Sequence, residues 1–158
     1  MAITPRFTEP HFENICRAVG DTISGTDVTT YLAEVGARDT IQGGTKWRRL
    51  HQDLGETQRI DRCGNNVVLF IQRACHPSRF IKEEEKFRTF ISEINQALGF
   101  LGYEYSEKGQ FRKVARVETI SEAKERYSTH LYTEADRSDV KPCRKCLKAA
   151  GSSFLIKE

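Results

Sequence analysis

The sequence has no long apolar run. Nothing in it approaches the ~20 residues that span a bilayer as a helix, and Met1-Ala2-Ile3-Thr4-Pro5 lacks the charged start and apolar stretch of a signal peptide. A cytoplasmic chain with no membrane role is expected. The cysteines are odd in number: Cys16, Cys63, Cys75, Cys143 and Cys146. Without a secretory signal they read as reduced thiols, not a disulfide framework. Charge of one sign is also scarce, with a net charge of only +3 over 158 residues. So weak an excess does not announce nucleic acid, and local clustering must decide.

Catalytic signatures are missing as well. There is no P-loop, no GxGxxG, and no HxH or HExxH among His11, His51, His76 and His130. His76 follows Cys75, but adjacent side chains diverge and rarely form a catalytic Cys–His pair. Glu83, Glu84 and Glu85 are the one carboxylate run, and it suits the positive end of a helix. Cys143-Arg144-Lys145-Cys146 is a single CxxC with basic neighbours that favour thiolate. Zinc needs four ligands. Only Cys63 and His130 are left to complete the set, and they do so only if the fold gathers them. A redox role wants a βαβ setting, which the pattern does not show. No catalytic residue, metal ligand or cofactor is therefore assigned.

What is present is helical periodicity. Hydrophobic residues make up 38% of the chain and charged residues 30%, enough for one core in one domain. Phe12, Ile15, Cys16 and Val19 share a face, predicting a helix over 11–20 that Gly20-Asp21 ends. Ser24-Gly25-Thr26-Asp27 offers caps for a second helix through Val35, closed by Gly36. Thr45 can cap a third over about 45–60, with Trp47, Leu50, His51 and Leu54 inward. After the turn Cys63-Gly64-Asn65-Asn66, Val67–Cys75 is apolar on almost all sides and predicts a central helix ended by Pro77. Phe87, Phe90, Ile91, Ile94 and Leu98 mark another over about 82–98. Tyr103 and Tyr105 alternate, Lys108-Gly109 turns, and Phe111 and Val114 return, which predicts a β-hairpin. Thr119 with Glu122 makes a capping box for a helix over about 120–131. Residues 132–139 read as a linker and 139–150 as the start of a last helix. The expected fold is mainly α with a small β-hairpin, a winged-helix-like domain of about five to seven helices.

A capped short helix, a turn and a helix with a basic face resemble helix-turn-helix organisation, with the hairpin as a wing. On that reading Lys46, Arg48, Arg49 and Gln52 on the third helix, and Arg112, Lys113 and Arg116 on the hairpin, contact DNA or RNA, chiefly through phosphate. The plainer reading is that these cations solvate a helix face and guard a sheet edge. Asp53, Glu56 and Asp61 dilute the helix charge. The alternative partner is a protein, with Trp47, Tyr103 and Tyr105 as aromatic anchors.

Several strings resemble a known family. Ser24-Gly25-Thr26-Asp27 through Leu32, Thr45-Lys46-Trp47-Arg48-Arg49-Leu50, Cys63-Gly64-Asn65-Asn66-Val67-Val68-Leu69-Phe70-Ile71 and Pro77-Ser78-Arg79-Phe80 resemble the N-terminal domain of Ymh-type, AbiJ-like abortive-infection proteins. So do Ile94-Asn95-Gln96-Ala97-Leu98-Gly99-Phe100, the Glu107–Val114 hairpin and Thr119-Ile120-Ser121-Glu122-Ala123. The resemblance covers roughly 5–130. It implies residues 1–131 as the AbiJ-like N-terminal domain, and 132–158 as a linker with the opening of a HEPN first helix. HEPN domains of that family often cut RNA with an Arg-x(4–6)-His motif. The one such spacing, Arg6 to His11, contains Pro10 and reads as chance. The resemblance therefore implies a non-catalytic sensing or binding module of phage defence, with no enzyme activity.

Overall fold

The computed structural model describes residues 3–41 and 43–128. Six helices lie among them: α1 (His11–Thr22), α2 (Gly25–Glu34), α3 (Lys46–Asp61), α4 (Asn65–Ala74), α5 (Glu84–Gly99) and α6 (Ile120–Tyr127), with a 3-10 turn at Pro77–Phe80. One antiparallel hairpin, β1 (Tyr103–Tyr105) and β2 (Phe111–Lys113), sits between α5 and α6. The domain is mainly helical with a small hairpin, as the periodicity requires. The expected last helix, the CxxC and His130 lie outside the described residues. No helix among those described is long and apolar enough to cross a membrane.

Helices α1 and α5 form the spine. Helix α1 packs on α3 along one side and on α5 along another, and α5 in turn carries the hairpin and α6. Helices α2 and α4 close the far side of α3. Phe12, Ile15 and Val19 of α1 meet Leu50 and Leu54 of α3 in one continuous core. That core extends through Phe70 and Ile71 to Phe90, Ile94 and Leu98. Helix α4 is less central than its composition suggests, since Arg73 is exposed and pairs with Glu34 at 3.3 Å.

Helix α1 does not stop at Gly20. It runs on to Thr22, and Gly20 is buried within it. A Cβ there would lie 3.0 Å from the Trp47 backbone nitrogen and 3.2 Å from its Cα. The glycine is there to let α1 and α3 cross closely, not to end a helix. The turn at Gly64 has a similar cause. A Cβ would meet the Pro5 carbonyl at 2.7 Å, because residues 4–7 strap across it. Thr4 donates its backbone N–H to Asn65 Oδ1 at 2.7 Å, and Phe7 exchanges both backbone bonds with the Gln58 amide.

Capping follows the sequence in full at α2 and in part at α6, where the Glu122 carboxylate accepts the Glu118 N–H and not that of Thr119. Ser24 and Asp27 form a reciprocal capping box at α2, and Thr119 accepts the Glu122 N–H at α6. Thr45 makes no side-chain cap at α3. Asp27 has a second task, an ion pair with Arg79 at 2.9 Å that ties α2 to the 3-10 turn.

Two predictions follow from these contacts. Gly20→Val forces side-chain bulk against the α3 backbone and costs about 3 kcal/mol in urea unfolding, at the upper end for overpacking. The second concerns acid. Burial alone would raise the Asp27 carboxyl, but the Ser24 bonds and the Arg79 guanidinium outweigh it and hold it below its ordinary value of 3.8. Its contribution is present above that value and is lost as pH falls through the depressed one. Urea midpoints taken from about pH 5 to about pH 2 should fall less steeply in Asp27→Asn than in the parent.

Candidate nucleic-acid interface

The first turn of α3 carries the expected basic string, and packing splits it. Lys46 reaches back to donate to the Ile23 carbonyl at 2.7 Å, at the C-terminus of α1. A lysine there satisfies a helix-end acceptor and complements the dipole. Arg49 turns toward α2. Its Nη2 lies 2.6 Å from Asp39 Oδ2 and 2.7 Å from Thr29 Oγ1, and its Nη1 is 3.3 Å from the Gly25 carbonyl. The side chains of this pair keep only 11% and 21% of their exposure. One turn on, Asp53 is buried and accepts the Thr40 N–H at 3.2 Å together with the Thr40 hydroxyl. These bonds pin the connection 35–45 between α2 and α3. That connection is far longer than the three- or four-residue turn of a helix-turn-helix pair.

Arg48 and Gln52 remain exposed on α3. Arg48 makes no ion pair among the described residues, and Gln52 has only a 3.4 Å contact to Thr40 Oγ1. Beside them Trp47 is half-buried, with the Arg17 guanidinium 3.9 Å from its ring centre and the Arg48 guanidinium 5.4 Å away. His51 meets the same ring edge-on and pairs with Glu9. The Gly20 crossing brings Arg17 here. Arg17 was not among the expected contacts, and nothing in the spacing of α1 announces it, because its position depends on where another helix crosses. Arg17 also pairs with Glu13 at 2.8 Å, one turn before it. An aromatic face holds each guanidinium by roughly 0.5–1 kcal/mol at an exposed site.

The hairpin divides in the same way. Register sets Glu104 opposite Arg112, and the two form an ion pair. Lys113 and Arg116 are exposed and carry no ion pair among the described residues. Of the aromatic anchors considered for a protein partner, Tyr105 is fully buried and unavailable. Tyr103 is half-buried against Phe7. The hairpin lies beside the last turn of α3, because Phe7 bonds Gln58 and its ring meets Tyr103. Arg48 and Gln58 are separated by about 15 Å of helix rise. Helix start and hairpin are thus two basic patches apart on the surface, not one recognition helix with a flanking wing.

Nucleophilic chemistry finds little support in these surroundings. Burial pushes the Cys16 and Cys75 thiols up, away from thiolate. His76 is engaged by Ser78 and His11 stacks on Phe100. Among the described residues no cluster of three or more His, Cys, Asp or Glu is placed to hold a metal ion. A groove of about 720 Å³ lies between α5, the hairpin and the end of α6. Its lining mixes Ile91, Phe111 and Tyr127 with Arg88, Glu104 and Arg112.

Comparison with family models, curated proteins and solved structures finds no match to the chain. The resemblance to AbiJ-like N-terminal domains thus stands on the quoted motifs alone.

The two arginines in the first turn of α3 separate cleanly by experiment. Arg49→Ala leaves the half-buried Asp39 without its cation and should cost about 2 kcal/mol of stability. Arg48→Ala should cost no more than about 1 kcal/mol, the worth of its contact with the Trp47 ring. Urea unfolding of both variants, with Asp39→Asn beside Arg49→Ala, checks the assignment.

Proposed function

We propose that this domain is a non-catalytic module that binds DNA or RNA through the phosphate backbone. The observation that carries the reading is the cluster of Arg17 and Arg48 about the Trp47 ring, on the face where α1 crosses α3. A guanidinium held over an aromatic plane loses little rotamer freedom on binding a phosphate. Arg48 makes no ion pair among the described residues, whereas Arg17 donates Nε and Nη2 to Glu13 and must share its charge with that carboxylate. Lys113 and Arg116 offer a second pair of cations near the far end of α3. Gln52, beside Arg48, adds a polar contact to sugar or phosphate.

Few phosphates are engaged in this arrangement. Lys46, Arg49 and Arg112 carry intramolecular bonds, so they contribute the shape of the face more than its contacts. The mode is backbone binding without base readout, and it is weak and salt-sensitive. The phage-defence setting, and with it a cytoplasmic one, rests on the resemblance. Free Cys16, Cys63 and Cys75 are compatible with that compartment.

Fluorescence anisotropy with a labelled oligonucleotide across ionic strength tests the reading. Two to four phosphate contacts give a slope of log K against log salt of about −2 to −4 on duplex. Arg17→Ala with Arg48→Ala should flatten that slope by about one to two units and weaken DNA and RNA alike. Absence of any binding at low salt, or an unchanged slope in the double variant, refutes it.

A further inference from the structure

The hairpin has one closed edge and one open edge. Ser106 donates to the Gln110 carbonyl at 2.9 Å and Val114 to the Gly102 carbonyl at 3.0 Å. Hydrogen-bonded and non-hydrogen-bonded pairs alternate along an antiparallel ladder. Glu104 opposite Arg112 is therefore a bonded pair, whereas Tyr105 opposite Phe111 and Tyr103 opposite Lys113 turn their N–H and C=O groups outward. On β1 the outward groups of Tyr105 are both taken by the Asn95 amide, at 2.7 and 2.9 Å. On β2 the outward groups of Phe111 and Lys113 bond no described residue. The open stretch ends where Arg126 Nη1 takes the Ala115 carbonyl at 2.6 Å.

We propose that the outer edge of β2 accepts an extended acidic peptide from a partner protein as a third strand. Strand addition of this kind draws affinity from main-chain bonds and specificity from alternate side chains. The edge is held rigid for it. Tyr105 is fully buried and donates its hydroxyl to the Cys75 carbonyl at 3.0 Å, and Gly109 packs so closely that a Cβ would lie 2.8 Å from Pro77 Cδ. Charge selects the occupant. Lys113 and Arg116 are exposed along or just after this strand with no ion pair among the described residues, and Arg112 is exposed beside its partner Glu104. A second copy of the chain would set the same cations against themselves, and like charges facing across a ladder are unfavourable. An acidic strand pairs with them. Its side chains on the Arg112 face meet the mouth of the groove lined by Phe111, Arg112 and Tyr127.

The proposal shares Lys113 and Arg116 with the phosphate reading but rests on the open main-chain edge, which phosphate binding does not need. The probe is a ten-residue peptide alternating Glu and Val, with its Lys counterpart and two versions N-methylated at every second amide, one in each register. The Lys113 N–H lies outside the ladder, so proline is tolerated there as at other edge positions. Lys113→Pro removes both the charge and the edge donor, and Lys113→Gln removes the charge alone. The expected result is about a tenfold loss of acidic-peptide affinity in Lys113→Pro against about twofold in Lys113→Gln. The Lys peptide and one of the two N-methyl registers should not bind. Circular dichroism checks that Lys113→Pro folds, and the N-methylated peptides give the same answer on the parent protein if it does not. Equal binding by Lys113→Pro and Lys113→Gln overturns the proposal. So does equal binding of the N-methylated peptides or of the Lys peptide.

Discussion

The side-chain amide of Asn95 decides how the second half of the molecule is built. It is buried in the last turns of α5, and it both donates to and accepts from the backbone of Tyr105. A strand edge brought against a helix would otherwise bury unpaired polar groups, each costing about 1–3 kcal/mol. The asparagine removes that cost by acting as one more residue of strand. With the edge satisfied, Tyr105 can sink between Phe90 and Phe111 and complete the core. The same bond fixes which edge of the hairpin stays open. Groove, basic return strand and docking edge all inherit their placement from it.

A second polar arrangement shapes the opposite end. Arg49, Asp39 and Thr29 lock α2 to α3, while Asp53 holds Thr40 one turn further along. Spacing places Lys46, Arg48 and Arg49 together at the start of one helix, and as a string they look alike. Packing assigns them three different partners: a helix-end carbonyl, an aromatic ring and a half-buried carboxylate. A cation count along the string therefore overstates what a phosphate can reach. Arg17 shows the converse, entering the cluster from α1 only because Gly20 lets the helices touch.

Much of the fold is legible in the residues. The apolar spacing of Phe12, Ile15, Cys16 and Val19 forces a helix with one buried face, and the Ser24 and Thr119 caps form as their positions require. The Tyr103–Tyr105 alternation yields the hairpin. Less is legible at Gly20, which reads as a stop and is a crossing point, and at Thr45, which caps nothing. A glycine within a periodic stretch has two explanations, and only the neighbouring helix tells them apart. The candidate sites are less legible still. Tyr105 looks like an exposed anchor on an alternating strand and is fully buried, because Asn95 draws its strand inward.

By itself the sequence determined what is local: the periodicities of the helices, the two caps and the turn that makes a hairpin. These depend on residues a few positions apart, and their energies are complete within a turn or two. Only the tertiary structure decided which cations face solvent, which strand edge is closed and that Arg17 lies over Trp47. Those outcomes depend on partners far away in the chain, and a buried polar group takes whichever partner the packed helices bring within hydrogen-bond reach.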